Sequence, residues 1–416
     1  MNKKMRVLIL GNSINLSGGA HAAFLDHVKV LQADDTYIVE KKSLESFGVS
    51  PADVNVYQNL DFVSKVFRTP AYLFNVRIFF GLLFSCLKFR PHIVHLHLYI
   101  GGLTVAAVVA AKLCGAKVCH TVHDYRSICA RNAMLDLNGD ICDACVTSPE
   151  AILRINCTGY SKSANLVLFF ESRLRQMVQR VFRVDWYIFV SHFAQQKHIE
   201  AEIPISNYSV NYNYVKRELN NNQTETTSLA SSRIARIGIP TIAYIGRLSL
   251  EKGIVELCRE FVKSSLECRI LIIGDGPERE CLKELCSQDE RVCFVGHVER
   301  SEIYNMLRDW IDAVILPSAW YENNPLSLIE AQMLGVPAIA ANIGGIPEII
   351  THETNGLLFK RFDYKNAIKM LDVFLNMSVE ERSHMETECK KNYEVRFTEH
   401  VFIGGLKSVY ASLVDC

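Results

Sequence analysis

Residues 317–337, P-S-A-W-Y-E-N-N-P-L-S-L-I-E-A-Q-M-L-G-V-P, place Glu322 and Glu330 on either side of an Asn-Pro step. That step predicts a helix start, with Asn324 as the N-cap and Pro325 at the first helical position, where a missing N–H costs nothing. The backbone N–H groups of Leu326 and Ser327 would then point out of a helix end that carries roughly half a positive charge. Such an end suits an anion, phosphate above all. Carboxylates beside a phosphate site fit a ligand that also carries neutral hydroxyls, and a sugar attached to a nucleotide diphosphate has both. The same residues also suit an ordinary helix start that binds nothing.

A cationic counterpart strengthens the ligand reading. The apolar run T-I-A-Y-I leads into G-R-L-S-L-E-K-G, where Arg247 and Lys252 lie between Gly246 and Gly253. One fork-shaped and one point-like cation serve a diphosphate well. The next run ends in I-I-G-D-G-P, where Gly274 and Gly276 leave room for a flat base or a ribose. F-V-G-H, closing on His297, offers backbone groups to a nucleobase, and N-I-G-G-I-P-E repeats the strand–glycine–acid theme. In the first half, G-N-S-I-N-L-S-G-G-A-H sets Gly18 and Gly19 after the first strand, where backbone could approach a phosphate or sugar closely. The spacing is not G-x-G-x-x-G, although Glu40 ends the second strand where a ribose-binding acid could sit. T-V-H-D-Y puts His123 at a strand end, able to donate to a sugar hydroxyl.

These residues need a scaffold that brings strand ends together. The chain has 416 residues and zero formal net charge, enough for two domains and without a surface for polyanions, so nucleic acid is excluded as a partner. Short β-rich runs alternate with helical stretches in both halves, the pattern of doubly wound parallel sheets. The strands expected are Met5–Leu10, Thr36–Val39, Val54–Tyr57, His92–His97, Lys117–Val122, Trp186–Val190 and Tyr208–Tyr214, then Thr241–Ile245, Arg269–Ile273, Val292–Val295, Ala313–Leu316, Pro337–Ala341 and Gly356–Phe359. Polar residues 216–238 read as a linker between domains at 1–215 and 239–395. Ligands of such sheets gather at the carboxyl ends of the strands. The opening M-N-K-K-M-R-V-L-I-L-G has too short an apolar run for a signal peptide and reads as a buried strand.

Taken together, G-R-L-S-L-E-K-G, G-D-G-P, E-N-N-P-L-S-L-I-E and A-Q-M-L-G-V-P-A-I-A-A-N-I-G-G-I-P-E resemble retaining glycosyltransferases of family four, the group 1 glycosyltransferases of bacterial polysaccharide and lipopolysaccharide synthesis. The resemblance is strong over 241–360 and looser before. It implies the GT-B fold, two Rossmann-like α/β domains facing a cleft, with residues 396–416 forming a helix that crosses back to the first domain. It implies transfer of a sugar from a UDP- or GDP-sugar to a glycan or lipid-linked acceptor, with no cofactor required. Arg247 and Lys252 would grip the diphosphate, completed by the amides from Asn324 through Pro325 and Leu326 to Ser327. Glu322 would hold the donor sugar and Glu330 the ribose. Gly18 and Gly19 would close over the donor, and His123 would contact the transferred sugar. Two other classes stay open: an NAD-dependent oxidoreductase, suggested by Glu40, and a silent nucleotide-sugar-binding subunit.

Cysteines add a separate question. Without a secretion signal the 14 thiols are expected to be reduced in a cytoplasmic protein. Cys129, Cys142, Cys145 and Cys157 resemble a tetrathiolate structural zinc site, with unligated thiols as the equal alternative. Two segments raise contact with the inner face of the cytoplasmic membrane. Residues 72–89 form a very apolar helix for which burial is the favoured reading, and basic Arg173–Arg183 reads first as a solvated helix face.

Overall fold

The computed structural model describes residues 4–12, 19–50, 69–155, 157–217 and 238–414. It divides into two compact units, Met1–Tyr212 with Phe402–Cys416 and Asn213–Val401. The expected strand Val54–Tyr57, Gly18 and most of the expected linker lie outside the described residues.

In the first unit, β1 (Met5–Leu10), α1 (Gly19–Gln32), β2 (Tyr37–Lys42), α2 (Val76–Phe89), β3 (Ile93–His97), α3 (Thr104–Leu113), β4 (Lys117–Val122), α4 (Lys162–Val181), β5 (Trp186–Phe189), α5 (His192–Glu200) and β6 (Tyr208–Val210) follow in turn. The strands form one parallel sheet in the order β2-β1-β3-β4-β5-β6. Val7, Leu8, Ile9 and Leu10 are wholly buried, as both-face-covered parallel strands must be. Parallel crossovers are right-handed, so α2, which passes β1 from β2 to β3, and α3 and α4, which each lead one strand further in the same direction, share one side of the sheet. α3 packs against both its neighbours there. The strand expected over Tyr208–Tyr214 stops at Val210 because Asn213 and Val215 already belong to the second unit. There the Asn213 N–H donates to Asn324 Oδ1 at 2.9 Å and the Val215 N–H to the Phe397 carbonyl at 3.2 Å.

The second unit runs β7 (Thr241–Ile245), α6 (Ile254–Phe261), β8 (Arg269–Ile273), α7 (Arg279–Leu285), β9 (Val292–Gly296), α8 (Arg300–Asp309), β10 (Ala313–Leu316), α9 (Leu326–Leu334), β11 (Ala338–Asn342), β12 (Gly356–Lys360), α10 (Tyr364–Leu375) and α11 (Val379–Arg396). Its parallel sheet has the order β12-β11-β10-β7-β8-β9. The C-terminal helix α12 (Glu399–Val414) groups with the first unit from Phe402 onward. Tyr410 bonds His95 at 2.7 Å and Lys407 pairs with Asp34 at 2.6 Å. Two doubly wound parallel sheets are thus present, with strand ends shifted by a few residues from their sequence limits.

α2 departs from the sequence reading. Ile78, Leu82, Ser85 and Cys86 are buried, but Val76, Phe80, Phe84 and Leu87 are exposed. The helix is amphipathic toward the sheet yet apolar on its outer side as well, so composition alone suggested full burial.

Candidate nucleotide-sugar site

The order of the second sheet reverses between β7 and β10: β8 and β9 continue on one side of β7, β11 and β12 on the far side of β10. Loops leaving two such strands diverge and open a crevice at their carboxyl ends. The loop after β7 carries Arg247 and Lys252, and the loop after β10 carries Glu322, so both groups of chemistry-bearing residues leave the switch point. Lys252 Nζ donates to Glu322 Oε1 at 2.6 Å, and Ser318 Oγ donates to the same oxygen at 2.6 Å. The Lys252 ammonium also lies 4.9 Å from the centre of the Trp320 ring.

Glu322 is only 5% exposed. Burial pushes its carboxyl up, but the Lys252 charge and the hydrogen bonds from Lys252 and Ser318 outweigh that and hold it below the ordinary value. It is therefore an ionised carboxylate at neutral pH. Its loop is pinned from several sides. The Gly345 N–H donates to the Glu322 carbonyl at 2.7 Å and the Ala319 N–H to the Glu251 carbonyl at 2.9 Å. Gly344, at φ 60°, lets the loop after β11 pass so closely that a Cβ there would stand 2.4 Å from the Glu322 carbonyl oxygen.

Arg247 is exposed, and among the described residues no acid pairs with it. Its carbonyl accepts the Tyr244 hydroxyl at 2.6 Å, which fixes the turn that presents it. Gly274 and Gly276 serve a different end from the one expected. A Cβ on Gly274 would stand 1.9 Å from the Gly246 carbonyl oxygen and one on Gly276 2.2 Å from that of Leu248. Their missing side chains admit the Arg247 loop, so that space is already filled by backbone. His297 is exposed just after β9.

The start of α9 corrects another expectation. Pro325, at φ −67° and ψ 115°, is the cap residue and the helix proper begins at Leu326. Asn324 caps nothing; its side-chain oxygen holds the Asn213 amide instead. The first amides of α9, Leu326 and Ser327 included, lack intrahelical acceptors as at any helix start. Glu330, on the second turn, is buried and accepts from Arg300 Nε at 2.7 Å and from the Tyr304 hydroxyl at 3.3 Å. Arg300 and Tyr304 had no sequence signal except an Arg near the start of α8.

In the first unit His123 follows β4. Its Nε2 meets His97 Nδ1 at 2.9 Å and the two rings stack. His27 of α1 stands edge-on to His97 with ring centres 5.0 Å apart. Among the described residues, the ring nitrogens of His27, His97 and His123 are the one group of potential metal-ligating atoms within 4.8 Å of one another. Burial pushes His123 down to about 4, while burial and then the charge of His123 push His95 to about 3. These imidazoles are neutral at pH 7. The alternation of His95 and His97 along β3, two residues apart and hence on one face, was the available signal for this cluster. Gly19 opens α1, and Glu40 lies on β2 in an ion pair with Lys42 at 3.0 Å.

A cavity of about 470 Å³ lies in the first unit at the carboxyl ends of its strands, bounded by Asn12, Gly101, Arg126, Arg131 and Arg175 among others. Cys129 and Cys145 also reach it. Burial pushes the Cys129 thiol up, partly offset by the neighbouring backbone amides of Met134, Arg131 and Asn132. Burial and then neighbouring thiols of the same foursome push Cys145 to about 12 and Cys157 to about 11.

Comparison with known proteins follows this division. The family described as "Glycosyl transferases group 1" matches residues 235–392. An uncharacterized glycosyltransferase of Methanocaldococcus jannaschii is 34% identical over 121 residues, which cover 28% of this chain and 30% of that protein. A putative colanic acid biosynthesis glycosyltransferase of Escherichia coli is 27% identical over 183 residues, 41% of this chain and 45% of that one. The chain therefore spans less than half the length of these curated relatives. Among solved structures, Anabaena HepE in complex with UDP covers 98% of this chain and 100% of its own, at TM-score 0.67 and 17% identity. Sucrose-phosphate synthase from Thermosynechococcus elongatus covers 99% of each at TM-score 0.69 and 15% identity. These likenesses show the fold: two parallel-sheet units of the GT-B type.

Proposed function

Taking residues 235–392 as a group 1 glycosyl transferase domain, we propose that the chain is a retaining glycosyltransferase that moves a sugar from a UDP- or GDP-sugar to a glycan or lipid-linked acceptor. The observation that carries this reading is the Lys252–Glu322 contact at the switch point of the second sheet. An ammonium has three N–H donors, so Lys252 can keep Glu322 and still meet a phosphate oxygen. Arg247 supplies a second cation, and the α9 amides supply neutral donors. The bond from the sugar to the diphosphate breaks with its electrons leaving on the phosphate oxygen, and a new bond forms to an acceptor hydroxyl on the same face. Its proton passes to the departing phosphate. Charge grows on that phosphate as the bond breaks, so donors fixed beforehand stabilise the transition state more than the ground state. Glu322, ionised and held from two sides, takes sugar hydroxyls; Glu330 takes the ribose while Arg300 fixes its orientation. His123 stays neutral and is the first unit's candidate for contact with the transferred sugar. HepE was crystallised with UDP and with UDP-glucose, which supports a uridine donor as the first to try.

No three of the sulfurs of Cys129, Cys142, Cys145 and Cys157 lie within 4.8 Å of one another, so the arrangement described is not a closed metal site, and one structural zinc held by the four stays a proposal. Burial raises the Cys129, Cys145 and Cys157 thiols, which a bound cation would convert to thiolates. Metal content of the parent and of Cys142→Ser with Cys145→Ser tests this; a metal-free parent ends it. Donor choice is tested by screening nucleotide sugars for hydrolysis or transfer. Turnover with a UDP- or GDP-sugar is expected, and stabilisation by NAD alone would favour the oxidoreductase reading instead.

A further inference from the structure

The outer side of the first unit carries two apolar stripes that no part of the described chain covers. On α2, Val76, Phe80, Phe84 and Leu87 follow one helix face, with Phe80 61% and Phe84 69% exposed. On α4, Leu166, Phe170, Met177 and Val181 do the same, with Val181 73% exposed. Leu113 at the end of α3 is exposed too. Because α2, α3 and α4 share one side of the sheet and α3 touches both others, the stripes lie on one surface. Soluble surfaces seldom leave so much contiguous apolar area uncovered without a use.

The outward charges on these helices that have no acidic partner among the described residues are cationic. α2 contains no acid, and Arg77 and Lys88 are exposed, followed by exposed Arg90. The single acid of α4, Glu171, is turned inward onto buried Arg175 at 3.3 Å. Lys162, Arg173, Arg180 and Arg183 remain outward, and among the described residues only Arg173 of these cations has an acidic partner, Glu150. We propose that this face docks on an anionic membrane surface. Phe80, Phe84, Phe170 and Met177 enter the boundary between headgroups and acyl chains, and Arg77, Lys88, Arg180 and Arg183 meet lipid phosphates. A second copy is disfavoured, since a twofold contact through this face would set cation against cation. No described helix is long and apolar enough to cross a membrane, so the contact is peripheral. The inference does not depend on the donor chemistry proposed above.

Sedimentation of the full chain with extruded vesicles tests it. Binding is expected to vesicles of equal parts phosphatidylglycerol and phosphatidylcholine, weakening with salt, and to be slight with phosphatidylcholine alone. Phe80→Ser with Phe84→Ser should weaken binding about tenfold or more, from the lost apolar burial. Arg180→Glu with Arg183→Glu should do the same through charge. Both pairs are on the surface, so their melting temperatures and any stabilisation by UDP should match the parent. The proposal is overturned if the parent does not sediment with the acidic vesicles, or if the serine pair sediments like the parent. It is equally overturned if light scattering shows that this face joins two copies in solution.

Discussion

At the scale of single residues, the informative contact is the one between Lys252 and Glu322, 2.6 Å apart with Glu322 nearly buried. Removing the ammonium leaves a carboxylate with less water and one partner fewer. Lys252→Ala should therefore lose up to about 3 kcal/mol of stability, short of the full buried-pair penalty because the lysine is partly exposed. Glu322→Ala should separate binding from transfer: sugar transfer falls by at least about a hundredfold, near 3 kcal/mol of barrier, while UDP still binds. Titration with UDP beside a turnover assay reads the two effects. Equal turnover in Glu322→Ala and the parent would remove Glu322 from the chemistry.

Elements decide how these residues meet. β7 and β10 lie side by side in the sheet, and the loops that leave them carry the cations and the carboxylate. Gly274, at φ 139° with the Gly246 carbonyl against its α-carbon, locks the Arg247 loop in place. Gly274→Ala should cost about 3 kcal/mol or more, from strain and steric overlap together, and chemical denaturation with circular dichroism would show it. Asn324→Ala, by contrast, should cost only about 1 kcal/mol, one hydrogen bond to the Asn213 amide, because it is not a helix cap. The sequence made the strands legible, since runs such as I-L-I-I are buried on both faces and end at glycine turns. It also marked Lys252, paired with Arg247 between two glycines, and Glu322, placed just before an Asn-Pro step. It did not show that Glu330 would be held by Arg300 and Tyr304, because that pairing depends on how α8 packs on α9. Nor did it show the cap of α9, where a long-range contact to Asn213 overrides a local preference. The outer stripe of α2 was hidden for a related reason: an apolar helix reads the same whether a neighbour covers it or not.

For the molecule as a whole, histidines divide the two units. His27, His95, His97, His120 and His198 are buried in the first and His123 is half-buried there, and desolvation holds all of them below the ordinary value. In the unfolded chain they take up protons near pH 6.5, whereas folded they stay neutral until far lower, to about 4 for His123. The unfolded state thus binds more protons between those values, so stability is full above pH 6.5 and is lost as pH falls, by up to about 1.4 kcal/mol per pH unit for each histidine. The first unit should open before the second on acidification from pH 7 to 5, as hydrogen exchange resolved by segment would reveal. Simultaneous opening would mean that the histidines take up protons without unfolding.

The central claim is that the switch point of the second sheet binds a nucleoside diphosphate through Lys252 and Arg247. Thermal unfolding of the parent, Arg247→Ala and Lys252→Ala, each with and without saturating UDP and GDP, tests it most directly. The parent should gain roughly 2.7 kcal/mol from one of the two nucleotides at a hundredfold excess over Kd, with a smaller gain in Arg247→Ala and almost none in Lys252→Ala. A parent indifferent to both nucleotides, or a Lys252→Ala variant stabilised as much as the parent, would contradict the account.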